Sequence, residues 1–388
     1  MFFSGNRDLN RYIDTIFPVT NACAGDDDPS KINATIGSFY TEDNKLMTFD
    51  SVYKSFRSLG DDVYARYAKG SFGNPDFNEA ITRFVLEGKV KHHRVIPVPG
   101  GTGAISTGVG VCLERGDTII IPEVAWGNYR IIASEFSLKV LTYDAYDLED
   151  MFAKIDEAER VFLVINSPCQ NPCGLSYTYE QWKMIIDYLN SCGKEAMLMN
   201  DVAYIDFAYN DDYKKYFELF NELNDNVLVM IAYSCSKAFS YYGMRLGALF
   251  AIQNDEEFLD LFINQCARRA RTTFSSVSNS AMTNVADVLN AHLDEYLAEK
   301  EDCKRLLKER SYLFIKECDE NGLEYYPYHD GFFVTLRFSD NRERDRVHQN
   351  FLDDHVYCIK VNKGIRVGIC AIPVERIKGL AKRLKALY

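Results

Sequence analysis

No run of about eighteen apolar residues occurs anywhere in the 388 residues, so no segment is fit to cross a membrane as a helix. Metal and disulfide signatures are also missing. The eleven cysteines are scattered, none stands in a C-x-x-C pair, and Cys169 and Cys173 lie in a turn without partnering histidines. In so long a chain this scatter reads as reduced thiols in a cytoplasmic protein. Positive charge is short: 44 Lys and Arg face 56 Asp and Glu, a formal net charge of -12. That balance argues against nucleic acid or an anionic membrane as the main partner. The opening Met1-Phe2-Phe3-Ser4-Gly5-Asn6-Arg7-Asp8 lacks a charged stretch followed by a long apolar one, so no secretory signal is expected. Gly101-Thr102-Gly103-Ala104-Ile105-Ser106 lacks the third glycine of a dinucleotide loop, and the Walker lysine pattern is absent. A single phosphate suits this loop better than a pyrophosphate.

What the chain does contain is a regular alternation. From Arg94 onward, short apolar runs near 95–98, 118–121, 140–142, 161–165, 196–199 and 227–232 alternate with helical stretches near 127, 148–157, 179–189 and 213–223. Buried strands alternating with helices predict an α/β fold with a doubly wound, mostly parallel sheet. A further strand at 247–252 and a helix at 256–269 extend the unit. Past about residue 285 the texture changes: one long charged helix over 286–321, strands near 331–336 and 364–369, a polar helix between them and a basic C-terminal helix. These form a smaller α+β domain. The boundaries expected are an N-terminal segment, 1–45, that joins the small domain, a large domain over 46–285 and the small domain over 286–388.

The sequence following several of the strands carries candidate chemistry. Ser234-Cys235-Ser236-Lys237 follows the apolar run 227–232, and Arg245 comes eight residues later in Gly243-Met244-Arg245-Leu246-Gly247. Desolvation at a strand end lowers a lysine's pKa, and a neutral amine attacks an aldehyde. Two hydroxyls and a guanidinium beside it hold a phosphate. By itself Lys237 reads more readily as a surface lysine after a strand. Asp201 follows the strand near 196–199, with Tyr204 three residues on; a carboxylate there holds a pyridine nitrogen protonated, although an aspartate opening a helical turn is the plain reading. Asn171-Pro172-Cys173-Gly174 is a turn in which Asn171 could donate to a phenolic oxygen. Gly100-Gly101-Thr102-Gly103 opens a helix whose free amides favour phosphate. Trp126 either stacks on a flat aromatic ligand or packs at the core boundary.

Together, and in this order, these residues resemble the fold-type I pyridoxal-phosphate enzymes, specifically the class I aminotransferases, over nearly the whole chain. The resemblance implies a seven-stranded type of large-domain sheet, pyridoxal 5'-phosphate as cofactor, amino acid and 2-oxo acid substrates, ping-pong kinetics and a homodimer with shared active sites. It implies Lys237 as the Schiff-base lysine and proton shuttle. Asp201 would pair with the pyridinium nitrogen, Asn171 and Tyr204 would bond the phenolic oxygen, and Trp126 would stack on the ring. Gly101, Thr102, Gly103, Ser234, Ser236 and Arg245 would surround the phosphate, with Tyr67 reaching the phosphate of the neighbouring subunit. Arg366 would clamp the substrate α-carboxylate beside Gly37, Asn171 and Trp126. The stretch Lys31-Ile32-Asn33-Ala34-Thr35-Ile36-Gly37-Ser38-Phe39-Tyr40 resembles the aspartate and aromatic aminotransferase branch, in which an arginine four residues before a serine binds a side-chain carboxylate across the dimer. Arg271 and Ser275 have that spacing. Phe39, Tyr40, Phe332 and Phe333 are candidate apolar walls. Tyr129 stands where the branch frequently has histidine, and Cys173 where threonine is commoner. A carbon–sulfur β-lyase or a decarboxylase on the same cofactor is the nearest alternative, and a non-catalytic ligand-sensing module a remote one.

Overall fold

The computed structural model describes Asp14 and residues 16–388; the opening Met1–Asp8 stretch lies outside the described residues. Six parallel strands and one antiparallel strand build the main sheet. Across it the order is His93–Val98, Gly247–Ile252, Val227–Ser234, Ala196–Asp201, Val161–Asn166, Thr118–Pro122 and Lys139–Tyr143. Only Gly247–Ile252 runs against its neighbours. Strands buried on both faces read as unbroken apolar runs. Within Val161–Asn166, Phe162 and Val164 face one core while Val161, Leu163 and Ile165 face the other. The first core is closed by helices Gly100–Cys112, Asn128–Glu135 and Glu256–Thr273, the second by Pro75–Leu86, Leu148–Glu157 and Tyr179–Ser191, among others. Each fully buried aliphatic side chain contributes about 1.5–3 kcal/mol.

The parallel strands end at one edge of the sheet, and the antiparallel strand begins there. Gly247 pairs with Ser234 on one side and Val98 on the other. A Cβ on Gly247 would stand 2.5 Å from the Tyr233 carbonyl oxygen and 2.9 Å from the Gly100 backbone, so only glycine lets the loop after His93–Val98 lie on this strand. The reversal brings Arg245 to the same edge as Gly101, Asp201 and Lys237.

The remainder packs against that edge. A three-stranded antiparallel sheet has the order Ile359–Val361, Gly364–Gly368, Phe333–Arg337. The extended segment around residues 31–40 supplies the short strand Ile32–Asn33, which pairs in parallel with Val356–Tyr357. Arg310, fully buried on the longest helix, donates to the carbonyls of Tyr40 (2.9 Å) and Cys370 (2.7 Å) and to Glu42, so the same segment is tied to both.

Three elements differ from the sequence expectation. The single helix expected over 286–321 is two, Asn279–Ala291 and Leu293–Asn321, broken at His292, whose backbone leaves the helical region (φ -130°, ψ 23°). Beyond the break Tyr296 donates to the Ala238 carbonyl at 2.8 Å, and Lys300 pairs with the buried Asp206 at 3.0 Å. The helix expected near 213–223 is the 3₁₀ helix Lys215–Glu222. The C-terminal helix divides at Gly379, whose φ of +77° suits glycine.

Candidate active site

Five loops at the sheet edge converge on a cavity of about 320 Å³. The helix Gly100–Cys112 starts directly after its strand, so its first amides point outward with the helix dipole behind them. Gly100 has φ +73°, and a Cβ there would lie 2.8 Å from the Arg245 guanidinium. Arg245 itself adopts φ +53° and donates to Ser236 Oγ (3.1 Å) and the Tyr242 carbonyl (2.9 Å). Helix amides, two serine hydroxyls and a guanidinium thus crowd one end of the cavity, a donor set that suits a phosphate dianion.

Asp201 sits at the end of Ala196–Asp201 and is buried. Its Oδ2 accepts from the Tyr129 hydroxyl at 2.6 Å and its Oδ1 from the Ala203 amide at 3.1 Å. Burial pushes its pKa up to about 6, while these two donors and the Lys237 charge pull the other way. Lys237 lies in the short helical turn Cys235–Ala238, half-buried, with Nζ 4.8 Å from the Tyr242 ring centre and 5.6 Å from that of Tyr204. Burial lowers its pKa to about 8, and the guanidiniums of Arg245 and Arg366 push the same way. Burial raises the Tyr204 phenol well above its ordinary range, against the opposing pull of Arg366 and Asn171.

Arg366, on the central strand of the smaller sheet, is buried and spans between segments. It donates to Asn171 Oδ1 (3.0 Å) and the Thr35 carbonyl (2.7 Å), and its guanidinium lies 4.2 Å from the Phe333 ring centre. Its Nε finds no partner among the described residues. Gly37 closes this corner: a Cβ there would come within 3.1 Å of Phe333 and 3.5 Å of the Tyr204 hydroxyl.

Gly101, Thr102, Trp126, Asn171, Asp201, Tyr204, Ser234, Ser236, Lys237 and Arg245 therefore line one cavity. Arg366 and Gly37 adjoin it through Asn171, Tyr204 and Phe333. Gly103 does not line it: a Cβ there would sit 2.6 Å from the Pro99 ring, so this glycine serves helix packing. Tyr67, 87 % exposed, and Arg271 also lie outside the cavity of their own chain. Arg271 donates to Ser275 Oγ at 2.7 Å, and Ser71 of the Tyr67 loop bonds the Ser275 carbonyl at 3.4 Å, so these two elements meet each other.

Sequence reasoning gave no role to four lining residues: Ser38, Asn166, Ala203 and Tyr242. Asn166 opens the Asn171 turn, donating to the Asp201 carbonyl (2.8 Å) and accepting from the Asn171 amide (2.8 Å). Its place as the last residue of a strand was a usable signal. Tyr242 accepts from the Phe39 amide at 2.9 Å, a bond across 203 residues that no local pattern announces.

A mostly parallel sheet flanked by helices, with a buried carboxylate, a lysine and two arginines gathered at its strand ends, defines an α/β enzyme fold. The family model Aminotransferase class I and II matches residues 29–384, and the chain belongs to that family. It is a fold-type I aminotransferase. The aspartate aminotransferase of Salmonella typhi is 26% identical over 328 residues, covering 80% of this chain and 82% of that protein. An aminotransferase structure from Anaerococcus prevotii superposes with a TM-score of 0.92 at 28% identity, covering 100% of this chain and 99% of the other. The aromatic-amino-acid aminotransferase structure from Burkholderia pseudomallei, described as covalently bound to pyridoxal phosphate, superposes with a TM-score of 0.81 at 22% identity, covering 100% and 99%.

Proposed function

We propose that this chain is a pyridoxal-phosphate-dependent aminotransferase that moves the amino group of aspartate, glutamate or an aromatic L-amino acid to a 2-oxo acid by ping-pong kinetics. The observation that carries the reading is that Lys237 lines one cavity together with the buried Asp201 and the Gly101, Ser236 and Arg245 donors. When bound, pyridoxal phosphate supplies an aldehyde that reacts with amines and a ring that accepts the electron pair freed at the substrate Cα. The chain's donors match it part by part. Gly101, Thr102, Ser234, Ser236 and Arg245 would hold the phosphate, Trp126 would cover the ring, Asn171 and Tyr204 would bond the phenolic oxygen, and Asp201 would supply a fixed negative charge for the nitrogen.

Lys237 does the proton work. With its pKa brought down to about 8, a good share of Nζ is neutral near pH 7.5, able to take the Cα proton and return it. Arg366 binds the α-carboxylate with donors that Asn171 and Thr35 hold in plane.

The same reading makes the protein a cytoplasmic homodimer in which Tyr67 and Arg271 serve the neighbouring cavity. Neither lines the cavity of its own chain, and the Tyr67 loop meets the Arg271 helix end where Ser71 and Arg271 both bond Ser275; this supports it. It also divides the chain into a large unit over 46–285 and a small one over 286–388 joined by 1–45; the pairing of Ile32–Asn33 with Val356–Tyr357 supports the last point. The test is incubation with candidate amino acids, with and without 2-oxoglutarate. Glutamate and the donor's 2-oxo acid appearing only with the acceptor supports transamination; pyruvate and ammonia released without it would make the protein a β-lyase.

A further inference from the structure

Tyr129 is fully buried at the start of helix Asn128–Glu135 and touches two of the groups that face the cavity. Its hydroxyl donates to Asp201 Oδ2 at 2.6 Å. Its ring meets Trp126 edge to face, with centroids 5.4 Å apart and planes at 89°. No other described side chain donates to the Asp201 carboxylate, whose remaining bond is to the Ala203 amide.

We propose that Tyr129 is a positioning residue that locks the indole of Trp126 and the Asp201 carboxylate into one unit, and that a phenol here keeps the carboxylate charged without adding a titrating group. The inference rests on the function proposed above. A phenol is a neutral donor throughout the physiological range, whereas an imidazole in this place would gain and lose a charge beside Asp201 near pH 6.5. Burial and the adjacent carboxylate push the Tyr129 phenol further up still, so it remains protonated. The other titratable groups facing the pair are Lys237, whose charge favours the carboxylate, and the phenols of Tyr143 and Tyr204, both raised by burial. Tyr143 donates to the Val164 carbonyl at 2.9 Å and so is not available to replace Tyr129.

The geometry also fixes which oxygen does what. Oδ2 is aimed by the phenol and Oδ1 by the Ala203 amide, so the carboxylate plane is set before any ring nitrogen arrives. Preorganised charge of this kind needs no rearrangement at the moment of reaction.

Tyr129→Phe removes one oxygen and keeps the ring that packs on Trp126. Before any variant is made, wild-type protein is titrated with pyridoxal phosphate; a protein that takes up none overturns the proposed function, and this inference with it. With uptake established, three quantities are compared: the apoenzyme Kd for pyridoxal phosphate by fluorescence quenching, kcat and KM for the amino donor, and the pH profile of kcat. Loss of a hydrogen bond to a buried charge predicts a fall in kcat of about ten- to a hundredfold with KM changed less than about twofold. It also predicts a several-fold weaker Kd and an acid limb moved up by about one pH unit. A fall in Tm with these quantities unchanged would assign Tyr129 to packing and overturn the proposal. Tyr129→His is the second variant, and decides alone if the phenylalanine protein does not fold. A new step in its pH profile near 6.5 supports the proposal; a profile superimposed on wild type overturns it.

Discussion

Asn171 and Arg366 meet at 3.0 Å across 195 residues of chain, the guanidinium donating to the amide oxygen. Asn171 belongs to the loop that leaves the main sheet, Arg366 to the centre of the smaller one. A second bond, from Arg366 to the Thr35 carbonyl, brings in the N-terminal segment. Three separate stretches thus meet at one buried cation beside the cavity. In the proposed function it pairs with the substrate carboxylate, which truncation would leave without a partner. Arg366→Ala is expected to lower kcat/KM by about 2–5 kcal/mol for every amino donor alike, read from initial rates. An effect confined to one class of donor would place Arg366 at the side chain instead.

Asp201 has a pKa near 6 because burial outweighs its two donors. A carboxylate with a raised pKa is charged above that value and neutral below it, so the charge proposed for the ring nitrogen fades as the pH falls through about 6. Asp201→Ala removes it at every pH. The expected loss in turnover is at least about a hundredfold, in line with removal of a well-placed electrostatic group. A loss below threefold contradicts the role.

Lys237 is the opposite case. Its pKa is lowered to about 8, so the amine is protonated below and neutral above that point. The rate at which the apoenzyme takes up pyridoxal phosphate should therefore rise with pH and level off just above 8, followed by absorbance in stopped flow. A rate still climbing past pH 10 would mean an ordinary, solvated lysine.

Arg271 is the residue proposed to discriminate among substrates. Its guanidinium is held by Ser275 at 2.7 Å, outside the cavity of its own chain. If it serves the neighbouring site, Arg271→Ala costs aspartate about 2–5 kcal/mol in kcat/KM and phenylalanine much less. An equal, small effect on both removes it from the site.

How far the sequence could be read follows from which contacts are local. The strands of the main sheet are unbroken apolar runs, and the groups at their ends, Asp201 and Lys237, could be placed from order alone. The direction of Gly247–Ile252 could not, because an apolar run carries no sign of parallel or antiparallel pairing; yet that reversal is what delivers Arg245. The break at His292 was hidden because charged residues continue a helical pattern through it. Tyr129 showed in the sequence only as an unusual residue near Trp126. Its bond to Asp201 joins positions 72 apart and needed coordinates. The bonds from the Phe39 amide to the Tyr242 hydroxyl and from Arg366 to the Thr35 carbonyl span more than 200 and 300 residues respectively and left no local trace.

The central claim is that Lys237 is the residue to which pyridoxal phosphate attaches. Borohydride reduction of the loaded protein, followed by digestion and peptide mass spectrometry, tests it directly. The account predicts a phosphopyridoxyl mass increment on the peptide containing Lys237, and in Lys237→Ala cofactor that is retained but washes out after reduction, with transamination lost. A label on another lysine, or a Lys237→Ala protein that transaminates at near the wild-type rate, would contradict it.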